Sequence, residues 1–264
     1  MTSPPAETAP PDARVPLLEA RGIVKRYGRV QALNGADFNV YPNEVVALIG
    51  DNGAGKSTFT KVLSGVIRPD SGEILVGGQP VSMSGPLDAR KFGIETVYQD
   101  LALAPDLDAA ANLYLGRELY LIPWLRVLNG REMRRRSVTA FAALGVHLPD
   151  LSTPVGMLSG GQRQSVAVAR AVAFASKVIF MDEPTAALGV VQRERVLNTI
   201  RKVRDQGISV VLISHNMPEV LSVADRVEVL RLGRRVASYR ASETSIEELV
   251  GAMTGALDTR DDAA

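Results

Sequence analysis

Cysteine is absent from the 264-residue chain. That excludes disulfides and cysteine-ligated zinc, and it permits a reducing compartment. Excess charge is absent too. Thirty Lys and Arg against 29 Asp and Glu leave a net charge of +1, so the chain as a whole has no pull toward nucleic acid or an acidic membrane. No stretch approaches the roughly 20 apolar residues that a membrane span requires. The N-terminus lacks the basic-then-apolar order of a secretory leader, and no internal repeat is found. What remains is an ordinary globular balance, 46% hydrophobic and 22% charged, in a length suited to one large domain or two small ones. The expectation is a soluble cytoplasmic protein.

Val45 to Ile49 is an unbroken apolar run that reads as a short strand buried on both faces. Gly50, Asp51, Asn52, Gly53, Ala54, Gly55, Lys56 and Ser57 then fit G-x-x-x-x-G-K-[ST], and Ser57, Thr58 and the residues to Leu63 read as the start of a helix. Glycines let backbone N–H groups turn inward around a phosphate, and the helix N-terminus behind them adds partial positive charge. Lys56 is placed for the β- and γ-phosphates, and the Ser57 hydroxyl for Mg²⁺. The expected ligand is a nucleoside triphosphate.

Residues 1–16, with Pro4, Pro5, Pro10, Pro11 and Pro16, are expected to be a disordered tail. Leu17 to Val40 suits short strands with turns at Gly28-Arg29 and Asn34-Gly35, and Asp70-Ser71-Gly72 and Gly77-Gly78 flank a strand at Ile74–Val76. Together these suggest an antiparallel sheet around the phosphate loop. From about Asp100 to Pro154 the chain is rich in Leu and Ala and reads as helices. One spans Arg131 to Leu144, with Met133, Val138, Phe141 and Ala142 near helical spacing and Gly145 as its stop. The Arg134-Arg135-Arg136 run reads as a solvated helix face. Leu119 to Leu125, with Pro123 and the single tryptophan Trp124, suits subdomain core, with a partner surface as the alternative.

Further on, helices at Gln162 to about Phe174 and about Val191 to Gln206 alternate with strands at Val178–Met181 and Ser209–Ile213, which implies a parallel sheet. Val227–Leu230 and Arg235–Ser238 suggest a closing hairpin around Leu232-Gly233. Ser245 to Glu248 suits a capping box opening a last helix. The strand at Val178 ends in Asp182 and Glu183. Beside a phosphate loop, Asp182 is the expected Mg²⁺ partner, and Glu183 is placed to polarise an attacking water. Ser159 is a good N-cap, and Gly160 and Gly161, followed by Gln162, leave the amides of the next helix end unobstructed, which makes a second anion site.

The order Gly50–Ser57, Leu158-Ser159-Gly160-Gly161-Gln162 and Asp182-Glu183 resembles the nucleotide-binding subunit of ABC transporters over residues 17–255. The resemblance implies an α/β P-loop NTPase core with an antiparallel β subdomain, a helical subdomain at about 100–154 and a flexible tail at 256–264. It implies that Tyr27 stacks on adenine, where the residue alone equally suits a sheet-packing tyrosine. It also implies that Gln99 reaches Mg²⁺ and the attacking water, and that His215 contacts the γ-phosphate. His147 matches no motif and is expected on the surface. The implied partners are a second copy, an integral-membrane permease and, indirectly, a periplasmic sugar-binding protein, with no nucleic acid.

Two copies would face head to tail across ATP, with Lys56 and Glu183 of one meeting Ser159 and Gly161 of the other, at the cytoplasmic face of the inner membrane. The permease helix would enter a groove beside Gln99 edged by Leu101, Leu103 and Leu107, with Asp100 and Asp106 at its rim, although each of these leucines equally suits the subdomain core. Val97 to Pro105 and Glu183 to Gly189 look most like importers of monosaccharides, especially fructose. Gly189 departs from the family, which commonly carries Asp there, and this bears on coupling between subunits. The alternatives are an importer ATPase for another small solute, an ATP-binding module that no longer hydrolyses, and a non-transport ABC-type switch.

Overall fold

The computed structural model describes residues 15–146, 148 and 150–256. His147, residues 1–14 of the expected N-terminal tail and residues 257–264 of the C-terminal one lie outside the described residues. The chain opens with β1 (Leu18–Tyr27), β2 (Val30–Val40), β3 (Val45–Ile49), α1 (Lys56–Leu63), β4 (Ser71–Val76) and β5 (Gln79–Val81). It continues through α2 (Pro86–Lys91), β6 (Ile94–Val97), α3 (Ala109–Tyr114), β7 (Tyr120–Ile122), β8 (Val127–Leu128) and α4 (Gly130–Leu144). Next come α5 (Gly160–Val172), β9 (Val178–Asp182), α6 (Val190–Asp205) and β10 (Ser209–Ile213). The last elements are α7 (Met217–Val223), β11 (Arg226–Arg231), β12 (Arg234–Arg240) and α8 (Ile246–Thr254).

The central sheet runs β12-β11-β3-β10-β9-β6, parallel throughout except for the antiparallel edge strand β12. Its inner strands β3, β9 and β10 are apolar because both faces are covered. Along β9, Val178 and Phe180 point into one core while Ile179 and Met181 point into the other. The first core lies between this sheet, α1 and the antiparallel sheet β2-β1-β4-β5. There Phe59 of α1 meets Phe38 of β2 edge to face, with ring centroids 5.8 Å apart; each such ring contributes about 1.5–3 kcal/mol on burial. The second core holds α3, α4, α5 and α6 against the opposite face. A third, smaller one packs α7 and α8 against β11.

Several sequence expectations are corrected. Asn34-Gly35 is not a turn but lies inside β2. The register shifts there, and Gly35 at φ +78° is the extra residue of a bulge. The strand expected at Ile74 begins at Ser71, so Ser71 and Gly72 belong to it. In α4 the buried face is Met133, Ser137, Phe141 and Leu144, while Val138 and Ala142 are exposed. Ser137 earns its place by donating to the Met133 carbonyl at 2.8 Å. The region from 100 to 154 is also not helical throughout. Leu119 to Leu125 leads into the hairpin β7–β8, whose apolar side chains are exposed, so they are not subdomain core.

The loop between β6 and α3 is fixed by a side chain that sequence reasoning passed over. Asn112 is fully buried; it donates to the carbonyls of Ala104, Leu107 and Asp108 and accepts from the Ala104 amide at 2.8 Å. Asn112→Ala strips the Ala104 amide of that partner, which costs about 1–3 kcal/mol for a buried unpaired group. The expected outcome is a lower urea midpoint with an unchanged m-value.

Candidate functional site

The phosphate loop is shaped by close backbone approach. A Cβ on Gly50 would collide with the Leu230 carbonyl oxygen, and one on Gly55, at φ +103°, would lie 2.6 Å from the Ala32 carbonyl oxygen. Only glycine fits at either place. Gly55 caps α1 without any side-chain hydrogen bond, which leaves the helix-end amides facing the loop. Lys56 folds back over it, donating to the Gly50 carbonyl at 2.6 Å and the Asp51 carbonyl at 3.1 Å. Burial lowers the Lys56 pKa, against the pull of Glu183, Asp51 and Asp182. Asp51 accepts from the Asn52 amide at 2.7 Å. Gly53 and Ser57 are exposed, Thr58 is half-buried and Ala54 is buried.

The parallel register delivers the other polar groups to the same edge. Leu48 lies beside Ile213, Ile213 beside Asp182, and Met181 beside Val97. Gly50, His215, Asp182-Glu183 and Gln99 therefore all leave the carboxyl ends of neighbouring strands, where an open α/β sheet presents its ligand crevice. Asp182 is half-buried. Burial raises its pKa first and the neighbouring Glu183 second, while Lys56 and Lys61 oppose the shift. Two adjacent carboxylates, one of them desolvated, make a seat suited to a cation. Glu183 holds φ +49°, a strained conformation for a non-glycine residue and one found at functional sites. Its carboxylate lies 2.7 Å from Nδ1 of His215. Gln99 is exposed and has no side-chain hydrogen bond among the described residues.

Ser159, Gly160, Gly161 and Gln162 are not joined to this group: among the described residues no hydrogen bond links them to the phosphate loop. Ser159 and Gln162 form a reciprocal capping box, with the Ser159 amide donating to Oε1 at 2.9 Å and the Gln162 amide to Oγ at 3.3 Å. Tyr27, at the end of β1, is about half exposed, with the Lys25 ammonium 5.9 Å from its ring centre.

Sequence reasoning missed the braces. Glu219, buried in α7, accepts from the Thr185 hydroxyl and from Asn216 Nδ2 at 2.8 Å. One carboxylate thus ties the loop after Glu183 to the loop after His215. The only sequence signal was Asn216 three residues before Glu219, an N-cap pattern that the structure realises, the Glu219 amide donating to Asn216 Oδ1 at 3.3 Å.

The arrangement offers loop amides to an anion and sets the Asp182-Glu183 carboxylates at the same sheet edge. The ABC transporter family profile matches residues 33–186. The chain belongs to the ABC transporter family. It is 51% identical over 251 residues to the fructose import ATP-binding protein FrcA of Rhizobium meliloti, covering 93% of this chain and 96% of that protein. To the xylose/arabinose import ATP-binding protein XylG of Sulfolobus acidocaldarius it is 46% identical over 238 residues, covering 90% and 94%. The crystal structure of a nucleotide-free ATP-binding cassette from an ABC transporter matches with TM-score 0.76 and 26% identity over 90% of this chain and 95% of that one. This ABC cassette is therefore an ATP-hydrolysing enzyme with a P-loop NTPase fold. Among its described residues no helix is long and apolar enough to cross a membrane.

Removing the brace separates positioning from binding. Glu219→Ala frees the loops carrying Glu183 and His215 but leaves the phosphate loop untouched. A displacement of about 1 Å costs about a hundredfold in rate. ATP turnover, read as phosphate release, is expected to fall by that order while calorimetric ATP affinity holds.

Proposed function

We propose that this cassette energises the uptake of a monosaccharide, fructose foremost, at the cytoplasmic face of the inner membrane. The single observation that carries the reading is the likeness to a fructose importer's cassette, which extends over nearly the whole of both chains. In this reading Mg²⁺-ATP lies on residues 50–58 with its adenine on Tyr27. Ser57 and Asp182 hold the cation and Gln99 reaches it. Few protein ligands suit a magnesium ion that takes the rest of its shell from phosphate oxygens and water. When bound, Mg²⁺ would neutralise charge on the phosphate oxygens.

The chain's own residues supply the rest. Glu183 accepts a proton from water as its oxygen attacks the γ-phosphorus and the bond to the bridging oxygen breaks, giving ADP and phosphate. Lys56 leaves its internal carbonyls to face the β- and γ-phosphates. His215, held to Glu183, lies within reach of the γ-phosphate. A second copy, head to tail, brings Ser159, Gly160, Gly161 and Gln162 to the nucleotide, which accounts for their separation from the phosphate loop within one chain. Gly189 leaves α6 without a side-chain cap, and a Cβ there would meet Gln192, the side chain that also borders Gly161.

A membrane permease is the proposed partner, and a periplasmic sugar-binding protein acts through it. Leu101 and Leu103 pack partly into the core, whereas Leu107 is exposed. Leu107 is therefore the knob available to a permease helix.

General-base help is worth about 10²–10⁴-fold, so Glu183→Gln is expected to bind ATP normally, hydrolyse it slower by that order, and accumulate as a nucleotide-bound dimer in light scattering. Near-normal turnover would move the base role to another group. For the transport reading, cells lacking the gene are expected to lose uptake of labelled fructose, and wild-type chain but not Leu107→Glu is expected to restore it. Co-purification of the permease with wild-type chain alone would place the coupling defect at the groove. Unchanged uptake of every monosaccharide in the deleted strain would overturn the sugar assignment and leave the ATPase intact.

A further inference from the structure

The hairpin β7–β8 breaks the usual logic of a folded surface. Tyr120, Leu121, Trp124, Leu125, Val127 and Leu128 are all exposed within nine residues, Trp124 at 82% and Leu121 at 66%. Leu119 packs against the core, and the Asn129 amide closes the base onto the Leu119 carbonyl at 2.7 Å. Beyond that base the ribbon carries its apolar side chains into solvent, turning through Pro123–Leu125. An exposed apolar cluster of this density marks a place where another phase or another molecule is met.

Charge identifies which. Residues 117–136 hold six arginines and two glutamates. Both glutamates are already engaged: Glu118 accepts from the Gly116 amide, and Glu132 accepts from Arg135 and Arg136. Arg117 pairs with Glu95, and Arg134 with Asp108. Arg126, at the turn, and Arg131, beyond the base, are exposed and have no side-chain partner among the described residues. A Trp-Leu tip flanked by free guanidinium groups is the composition that settles at a bilayer interface. The indole and leucines enter the acyl boundary, and the arginines meet anionic headgroups.

We infer that residues 120–128 form a lipid-contacting tip, which seats this ABC cassette directly on an anionic membrane surface. This goes beyond the transport reading and does not depend on which solute is carried. Trp124 is the only tryptophan, so its emission reports the tip alone.

The test uses the full chain with vesicles of phosphatidylcholine, pure or mixed equally with phosphatidylglycerol. A blue shift of Trp124 emission and quenching by brominated acyl chains are expected on the anionic vesicles only. Each arginine contributes about fivefold to binding near an anionic surface. Arg126→Asn with Arg131→Gln is therefore expected to weaken binding by about twenty-five-fold, and Leu121→Ser with Leu125→Ser to abolish the shift. Both variants should retain ATP hydrolysis, which verifies folding. An emission spectrum that anionic vesicles leave unmoved, or an equal shift on pure phosphatidylcholine, would overturn the proposal. So would a photo-crosslinker at position 125 that labels permease protein and no lipid in the assembled membrane.

Discussion

Three stretches of backbone meet around the phosphate loop, and the rest of the fold serves that meeting. Gly50 runs against the carbonyl of Leu230 in β11, and Gly55 against the carbonyl of Ala32 in β2. The Gly233 amide donates to the Ala54 carbonyl at 2.9 Å, and the Asn34 amide to the Gly233 carbonyl at 2.8 Å. The loop is held by main chain on two sides, so its amides are oriented before any ligand arrives, and the ordering cost falls on folding instead of binding. The antiparallel sheet and the β11–β12 hairpin belong to different layers, and this contact joins them.

The electrostatics follow from that geometry. Lys56, Asp182 and Glu183 are brought together in partial burial, where charges interact more strongly than in water. Burial moves Lys56 and Asp182 each toward its neutral form, while their mutual attraction moves both back. Lys56 meanwhile satisfies itself on Gly50 and Asp51 carbonyls, contacts within one loop that a phosphate can replace. The site is stable without ligand yet unsaturated toward an anion.

Much of this was legible in the sequence because burial on both faces leaves an unmistakable mark. Strands over Val45–Ile49 and Ser209–Ile213 form with the expected bounds, and the capping box at Ser245 and Glu248 forms as well. The spacing Gly50–Lys56 and the strand ending near Asp182 marked the phosphate loop and the carboxylate edge that the parallel register sets side by side. What escaped depended on distant partners or broke the local rule. Asn34-Gly35 looks like a turn, but tertiary pairing turns it into a bulge. Glu95 hides the strand β6 because a charge in a buried strand makes sense only with Arg117 lying over it. Thr185 and Glu219 are separated by 34 positions, a pairing no window of sequence reveals. Trp124 and its neighbours read as core because apolar runs usually are.

Arg170 has a mechanical consequence. From α5, the helix whose first turn is Gly160–Gln162, its guanidinium donates to the Leu101 carbonyl at 2.9 Å and the Ala102 carbonyl at 2.6 Å. Those two residues hold φ of +62° and +46°, consecutive left-handed conformations that non-glycine residues adopt only under constraint. The strained loop beyond Gln99 is thus fixed to α5, the helix that Ser159 caps. Two hydrogen bonds from one guanidinium hold two left-handed residues in place.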